Sequence, residues 1–293
     1  MCRFIAYLGE PILLSSLVTD PDHSIIHQSY HSRERPEPLN GDGFGLAWYV
    51  PRLSQSAALF KDTTPAWSNE NLRQVARVVE SDCIFAHVRA ATGGSPVSRL
   101  NCHPFSFGNL TFMHNGLIPE FGRMRRKLLE NLSDEVYNSV TGSTDSEHIF
   151  ALFCEYYRGG GLENMAEALS RTIQRLEELR QELEIDRSCF LNFALTDGNV
   201  LLTTRYISDG SELANSLYYA EGEKYRCENG VCMLEKGRRS SVVVASERLS
   251  LASEWTRISP NQMLLADRTG LLELRPLPSS TAALSLASTA SRC

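Results

Sequence analysis

The sequence contains no apolar run long enough to span a membrane and no dense block of lysine and arginine. A spanning helix needs about 20 consecutive apolar residues, and nucleic acid or an anionic membrane surface is met by a concentrated basic patch. The formal net charge is −6, so we expect neither nucleic acid nor a membrane as a partner. The only locally basic stretch, "RMRRK" at residues 123–127, is typical of the solvated face of a helix.

The regular close spacing of cysteines that marks a disulfide scaffold is also lacking. The eight cysteines are scattered along the chain, which excludes a disulfide-stabilised scaffold. A secretory signal is not expected either, because Gly9, Glu10 and Pro11 interrupt the apolar stretch that follows Arg3. These absences favour a reducing cytoplasm, in which most of the thiols act as small buried hydrophobic side chains.

The residues that are present favour a well-buried core, since 42% of the 293 residues are hydrophobic. Four short runs are rich in aromatic or β-branched residues and are bounded by turn formers, as buried strands are: "CRFIAYLG", "GFGLAWYV", "CIFAHVRA" and "LTFMHNG". Between them, "SNENLRQVARVVESD" predicts an amphipathic helix with Ser68 as its N-cap.

Two further helices are predicted, one near "STDSEHIFALFCEYY" and a long one over "LENMAEALSRTIQRLEELRQELE". The long helix carries an apolar stripe that indicates a face packed on the core: Leu162, Met165, Leu169, Ile173, Leu176 and Leu183. After it, Asp197-Gly198 predicts a tight hairpin between two strand-like runs.

Strands and helices therefore come in blocks, which predicts an α+β fold with largely antiparallel sheets and helices on their outer faces. We expect one domain over residues 2–275. The remainder, 276–293, is rich in small residues and is predicted to be a disordered low-complexity tail. No internal repeat is visible.

Cys2 is the first candidate for chemistry. Removal of Met1 would leave one residue with both a thiol and a free α-amine. An α-amine has an unperturbed pKa of about 7.7 to 8.0, close to that of a general base working near neutral pH. The alternative, which position alone leaves open, is a small apolar residue at the start of an edge strand.

Three other segments carry candidate site residues, and each has a structural alternative. Arg89 ends a strand and is followed by Thr92 and two glycines, so it is either a carboxylate clamp or a surface arginine before a turn. Asn115-Gly116 offers an oxyanion hole or a hairpin turn. Asp145 lies at a helix start, where a carboxylate binds a ligand or serves as a cap.

In order, the chain presents an N-terminal cysteine, "NGDGFGLAWY", a strand ending in His-x-Arg-x-x-Thr-Gly, "MHNG" and "STDSE". This order resembles the glutaminase domain of class II glutamine amidotransferases, which are N-terminal nucleophile hydrolases. The likeness is dense from Cys2 to Phe150 and thinner to Leu274. It is strongest to stand-alone members, among them the amidotransferase-like subunit of a glutathione-degrading complex; the γ-glutamyl hydrolase of ergothioneine synthesis is more distant. The resemblance implies an αββα fold, with two stacked sheets covered by helices.

The resemblance also implies a role for each candidate residue. Cys2 would be the nucleophile and its own α-amine the base. Asn115 and the N–H of Gly116 would form the oxyanion hole. Arg89 would clamp the α-carboxylate of the substrate, and Asp145 would pair with its α-ammonium group.

The implied reaction is hydrolysis of a γ-glutamyl amide, such as glutamine or glutathione, through a γ-glutamyl thioester. Thr92 is expected only as a pocket residue, because this segment lacks the tryptophan and histidine that flank the motif in some larger synthases. We expect no cofactor and no fused synthetase domain. A small-molecule γ-glutamyl substrate is the expected ligand, and a separate acceptor or peptidase subunit is a candidate partner.

Three alternatives remain open from the sequence. Cys83, His87, Cys102, His103 and His114 are close in sequence, yet they lack metal-ligand spacing, so we expect no metal site. The chain could also be a binding module that keeps the fold without turnover. As a third alternative, it could be a glutaminase subunit that delivers ammonia to a separate synthetase.

Overall fold

The computed structural model describes residues 2–34, 39–91, 96–211, 213–237, 240–251 and 254–277. Thr92 and the predicted tail beyond Leu277 lie outside the described residues. The strands, numbered along the chain, are β1 (Arg3–Leu13), β2 (Phe44–Val50), β3 (Ser54–Asp62), β4 (Glu80–Val88), β5 (Phe105–Phe107), β6 (Leu110–Leu117), β7 (Phe190–Thr196), β8 (Val200–Arg205), β9 (Tyr218–Gly222), β10 (Tyr225–Glu228), β11 (Val231–Leu234), β12 (Ser241–Ala245), β13 (Thr256–Arg257), β14 (Gln262–Asp267) and β15 (Leu272–Pro276). The α-helices are α1 (Ser15–Val18), α2 (Ile25–Tyr30), α3 (Glu70–Ala76), α4 (Phe121–Leu129), α5 (Asp134–Ser139), α6 (Asp145–Tyr156) and α7 (Gly161–Glu182).

Two antiparallel sheets form the centre of the fold. The first has seven strands in the spatial order β13-β9-β12-β1-β4-β2-β3. The second has six strands in the order β15-β14-β8-β7-β6-β5. The described neighbouring strands in both sheets run antiparallel, as the sequence predicted.

Strand β1 shows how the layers stack. Its alternate residues Phe4, Ala6 and Leu8 pack between the two sheets, against side chains of β6, β7 and β14. Ile5 and Tyr7 point the other way and pack against α1, α2 and α3. Because side chains alternate across a strand, one sheet can bury both of its faces in this way. The predicted α+β fold with αββα layers is confirmed.

The second helical layer, α4 to α7, covers the outer face of the second sheet. The predicted stripe of α7 is confirmed, since Met165, Leu169, Ile173 and Leu176 are buried in this layer. Residues 123–127 lie on α4 with mostly exposed basic side chains, as predicted. Within the described part of the chain, no helix combines the length and the apolarity that a membrane span requires.

Helix α3 begins one residue later than the sequence suggested. Its N-cap is Asn69, whose side chain accepts a hydrogen bond from the Leu72 N–H at 2.8 Å. The hydroxyl of Ser68 instead donates to the Pro65 carbonyl at 3.0 Å, within a short 3₁₀ turn. Both residue types make good caps, so the preceding turn, and not the capping preference, decides which one is used.

Two of the hairpins differ in how well the sequence predicted them. The Asp197-Gly198 turn joins β7 to β8, as expected. The β10–β11 hairpin was not predicted, and it pairs Cys227 directly with Cys232 as a disulfide. The sequence did not predict this disulfide, because it favoured small buried hydrophobic side chains for most of the thiols. The remaining described cysteines are free, and all of them except Cys2 are buried, as expected.

Candidate active site

A cavity of about 610 Å³ opens where β1 and α6 begin and where β4 and β6 end. Arg3 pairs with Val88 in the β1–β4 ladder, so the residues just outside the ladder, Cys2 and Arg89, are neighbours. Antiparallel pairing thus unites residues that are far apart in sequence. The lining includes four of the predicted site residues together with a histidine and an arginine: Cys2, Arg89, Gly116, Asp145, His103 and Arg187.

Cys2 lies half-buried in this cavity. Its thiol donates to the Ala90 carbonyl, with 3.6 Å between sulfur and oxygen. Burial raises the pKa of the thiol, and the positive charges of Arg89 and Arg3 offset only part of that rise. The thiol is therefore protonated near neutral pH, and a nucleophilic role would require a nearby base.

Arg89 is held at the end of β4 by the "NGDGFG" segment. Its main-chain N–H donates to the Gly43 carbonyl at 2.8 Å, and its carbonyl accepts from the Asp42 N–H at 3.0 Å. The Asp42 carboxylate accepts from the Ala91 N–H at 2.8 Å. The guanidinium of Arg89 is 3% exposed, donates to the Pro96 carbonyl at 3.3 Å and reaches the cavity. A buried cation at this position can bind a carboxylate strongly.

Gly43 shows why this segment is rich in glycine. It has φ of +110°, a conformation that L side chains rarely adopt. A Cβ here would also come within 2.7 Å of the Asp62 carbonyl oxygen and of Cys102 Sγ. The tight loop can therefore wrap around Arg89 only because no side chain is present.

Asn115 and Gly116 lie inside β6, not in a turn. They pair with Asn192 and Leu191 of β7 in regular register, which excludes the hairpin alternative. A Cβ at Gly116 would overlap the Phe190 carbonyl oxygen and come within 2.5 Å of the His114 ring. Glycine is therefore required for this close packing, and its main chain borders the cavity.

The Asn115 side chain is 2% exposed. Its Nδ2 donates to Ser246 Oγ at 3.4 Å, and its Oδ1 has no hydrogen-bond partner among the described residues. Ser246 Oγ also accepts from the Phe4 N–H at 3.0 Å. An unpaired buried carbonyl oxygen costs about 1 to 3 kcal/mol, so this amide is left incompletely satisfied.

Asp145 is the first residue of α6, but it is not the cap. Thr144 caps the helix by accepting from the Glu147 N–H at 3.2 Å. The Asp145 carboxylate instead accepts from the main-chain N–H groups of Ser146 at 2.8 Å and Ile118 at 2.9 Å, and it lines the cavity. A helix N-terminus stabilises the negative charge. The carboxylate is thus fixed in position and can accept a hydrogen bond from a cation in the cavity.

Three histidines pack beneath these residues. The rings of His87 and His103 stack with centroids 4.2 Å apart, and His87 Nε2 donates to the His114 carbonyl at 3.2 Å. Burial lowers the pKa of His87 to about 3 and lowers the pKa of His103 and of His114 as well. All three are neutral at pH 7. Within the described ranges, no group of three or more His, Cys, Asp or Glu side chains is arranged to hold a metal ion.

Sequence reasoning missed two kinds of residue. Arg187 lines the cavity from the loop before β7, where no motif marks it. Ser246 contacts Asn115 from the end of β12, although the two are 131 positions apart. The strand-like run "SVVVA" just before Ser246 is the one local signal near it.

Known proteins resemble this chain over most of its length. The sequence profile described as "Glutamine amidotransferases class-II" matches residues 13–290. The probable glutamine amidotransferase DUG3 of Saccharomyces cerevisiae is 40% identical over 94% of this chain and 84% of its own length. The γ-glutamyl-hercynylcysteine sulfoxide hydrolase of Mycolicibacterium smegmatis is 30% identical over 70% of this chain and 79% of its own.

Solved structures support the same assignment. A glutamine aminotransferase class-II domain protein from Silicibacter pomeroyi is 31% identical and superimposes with a TM-score of 0.65 over 94% of this chain and 99% of that one. Glutamine phosphoribosylpyrophosphate amidotransferase of Bacillus subtilis, at 15% identity and a TM-score of 0.62, shares the fold over 94% of this chain and 49% of its own. The predicted N-terminal nucleophile hydrolase fold is confirmed. The chain belongs to the class II glutamine amidotransferases.

Proposed function

We propose that this protein hydrolyses a γ-glutamyl amide bond and releases glutamate together with ammonia or an amine. The observation that carries the proposal is the convergence of Cys2, Arg89, Gly116 and Asp145 on one cavity. A thiol, a cation, a main-chain N–H and a carboxylate are the groups that this reaction and a glutamyl substrate require.

Arg89 and Asp145 recognise the amino-acid end of the substrate. That end is a zwitterion, so the guanidinium binds the α-carboxylate and the carboxylate binds the α-ammonium group. Both protein charges are held by main-chain hydrogen bonds before any ligand arrives. Such preorganisation reduces the free energy that ordering of the site costs during binding.

Cys2 attacks the γ-carbonyl carbon after Met1 has been removed. The free α-amine takes the thiol proton, the sulfur–carbon bond forms, and the carbonyl electrons move to oxygen. The ammonium then gives its proton to the departing amine as the carbon–nitrogen bond breaks. Water attacks the resulting γ-glutamyl thioester with the amine again as base, and glutamate leaves as the thiol is regenerated.

Asn115 and the Gly116 N–H stabilise the oxyanion of the tetrahedral intermediate. Exchanging the amide oxygen and nitrogen of Asn115 lets the Ser246 hydroxyl donate to Oδ1, which otherwise has no partner. Nδ2 is then free to donate to the oxyanion. Ser246 keeps its bond from the Phe4 N–H in either arrangement, because that bond uses the oxygen as acceptor.

The leaving-group side of the cavity favours a γ-glutamyl peptide over glutamine. The volume of about 610 Å³ lies in the range that accommodates ligands of drug size, so there is room for a leaving group larger than ammonia. The exposed Arg187 guanidinium borders the cavity and makes no hydrogen bond or ion pair with another described residue. It can therefore bind a carboxylate on the departing amine.

Cytoplasmic localisation and a separate acceptor or peptidase subunit belong to the same proposal. An ammonia-supplying glutaminase is the second candidate, favoured by the name of the yeast relative, glutamine amidotransferase. The substrate distinguishes the two candidates. Glutamine as the only substrate would support ammonia supply, whereas γ-glutamyl peptides would support catabolism or thiol metabolism.

The experiment is to follow glutamate release from glutamine, γ-glutamylglycine and γ-glutamylglycinamide by mass spectrometry. We expect Arg187→Gln to lower kcat/KM for γ-glutamylglycine by about 3- to 5-fold, the effect of a solvent-exposed ion pair. Glutamine and γ-glutamylglycinamide, which lack that carboxylate, should be unaffected. Arg187→Lys is the matched control and should retain most of the preference. An equal loss on all three substrates would contradict this role for Arg187.

A further inference from the structure

A polar cluster with a buried centre, formed by Arg3, His23 and Glu247, lies next to Cys2 in the chain and outside the cavity lining. We call it the Glu247 cluster, and it consists of Arg3, His23, Ser32, Arg33 and Glu247. Glu247 Oε1 accepts from Arg3 Nε at 2.5 Å and from Ser32 Oγ at 2.7 Å. Its Oε2 accepts from the Arg33 main-chain N–H at 2.9 Å and from His23 Nε2 at 2.8 Å. Glu247 is 1% exposed, so one buried carboxylate receives four donors.

Arg3 connects this cluster to Cys2. Its side chain is buried, and Nη1 donates to the main-chain carbonyl of Cys2 at 2.9 Å. The Arg3 main chain is fixed by pairing with Val88 in the β1–β4 ladder. The orientation of Cys2 therefore depends on a guanidinium that Glu247 holds in place.

The same arrangement balances charge next to the α-amine of Cys2. A nearby guanidinium disfavours protonation of an amine, and a carboxylate paired with that guanidinium offsets the effect. Burial alone would raise the pKa of Glu247, but its hydrogen bonds from His23, Ser32 and Arg33 and the charge of Arg3 hold that pKa below its usual range. The Glu247 carboxylate is thus charged throughout the working pH range.

We propose that Arg3 and Glu247 are positioning residues for catalysis: the buried pair fixes the main chain of Cys2 and keeps its α-amine able to accept the thiol proton near neutral pH. This inference rests on the proposed function, since it assumes that Cys2 is the nucleophile. It concerns residues that would act through Cys2 and would not touch the substrate.

Other charged and titratable groups face the same region. His23 contacts Glu247 directly, and its Nδ1 lies 3.0 Å from Nδ1 of His27, whose pKa burial lowers. Removing the Glu247 charge is the cleaner perturbation, because it leaves in place the Arg3 side chain that donates to the Cys2 carbonyl. None of the variants replaces the other charged or titratable side chains in and around the cavity: Asp42, Arg89, Cys102, His103, His114 and Asp145.

The experiment compares kcat, KM and the pH dependence of kcat/KM for Glu247→Gln and Arg3→Lys with those of the wild type, using a γ-glutamyl substrate. Mass spectrometry first verifies that Met1 is absent from each protein. Glu247→Gln leaves the Arg3 charge unbalanced, so the acid limb of the profile should move to lower pH. We expect kcat to fall by about 10- to 100-fold, as for small misplacements of a reacting group, while KM changes little.

Arg3→Lys separates position from charge. A lysine keeps the positive charge but cannot bridge Glu247 and the Cys2 carbonyl with the fixed geometry of a guanidinium. Its kcat should fall while the acid limb stays near that of the wild type. If Glu247→Gln does not fold, the kcat of Arg3→Lys still tests the proposed positioning role.

Glu177→Gln is the matched control. Glu177 is likewise buried and accepts from an arginine Nε and a serine hydroxyl, those of Arg180 and Ser208. It should lose thermal stability yet keep the kcat and the pH profile of the wild type. The inference is overturned if Glu247→Gln or Arg3→Lys loses only stability, with kcat and profile unchanged. If instead wild type and Cys2→Ala release equal amounts of glutamate, the proposed function itself fails.

Discussion

Cys2→Ala is expected to reduce glutamate release by at least about 10⁴-fold, the loss that follows removal of a catalytic nucleophile. No other described residue can take over, because the remaining free cysteines are buried: Cys83, Cys102, Cys154 and Cys189. Burial raises the pKa of each of these thiols, which makes them less reactive. Steady-state assays on a γ-glutamyl substrate measure the effect.

Cys2→Ser tests whether the reaction requires a thiol at this position. Serine is nearly isosteric, permits methionine removal in the same way and keeps the α-amine, but its hydroxyl is a far weaker nucleophile than a thiolate. Activity should therefore be strongly reduced although substrate binding is retained. Cys154→Ala is the control, since this cysteine lies nine residues along α6 from Asp145, about 13 Å away at 1.5 Å per residue. Wild-type turnover by Cys2→Ala would refute the mechanism.

Arg89→Gln and Asp145→Asn should each reduce kcat/KM by about 10²- to 10³-fold. Removing one partner of a buried charge pair costs about 2 to 5 kcal/mol, and each 1.4 kcal/mol is tenfold. Arg89 is buried and Asp145 is half-buried at a helix N-terminus, so both interactions are sheltered from water. Most of the loss should appear as a higher KM, since these residues bind the part of the substrate that does not react.

Substrate analogues assign each charge to its partner. A γ-glutamyl compound without the α-amine should be as poor a substrate for the wild type as for Asp145→Asn, because the lost interaction is the same. A γ-glutamyl compound without the α-carboxylate should be as poor a substrate for the wild type as for Arg89→Gln. Glu120, an exposed carboxylate on the cavity wall, provides the control. Glu120→Gln should leave unchanged the ratio of kcat/KM between the full substrate and each analogue. If both variants responded equally to both analogues, the assignment of the two charges would be wrong.

The sequence predicted those features that depend on local pattern. The period of the apolar residues marked α7, and Asp197-Gly198 marked the β7–β8 turn. The motif order predicted a site made of Cys2, Arg89, Thr92, Asn115, Gly116 and Asp145. Cys2, Arg89, Gly116 and Asp145 line one cavity, Asn115 is not among the described residues that line it, and Thr92 lies outside the described residues. Physical pattern and motif therefore sufficed for the layers and for four residues that line the cavity.

The sequence could not predict contacts between segments that are far apart. Arg3 meets Glu247 across 244 positions, and neither residue shows a local sign of burial. The Cys227–Cys232 disulfide is different: the Asn229-Gly230 turn that places the two residues opposite each other is a local hairpin signal, which sequence reasoning missed. Which of Ser68 and Asn69 caps α3 likewise depends on the preceding turn.

The central claim is that the thiol of Cys2, activated by its own α-amine, forms a covalent γ-glutamyl intermediate. The direct test is mass spectrometry of the intact, fully active protein after reaction with a glutamine analogue that carries a diazoketone in place of the γ-amide. Our account predicts one adduct per chain, located on Cys2 of a protein that lacks Met1, with activity lost in proportion to labelling. Full activity in a protein that retains Met1, or inactivation by an adduct on another cysteine, would contradict it.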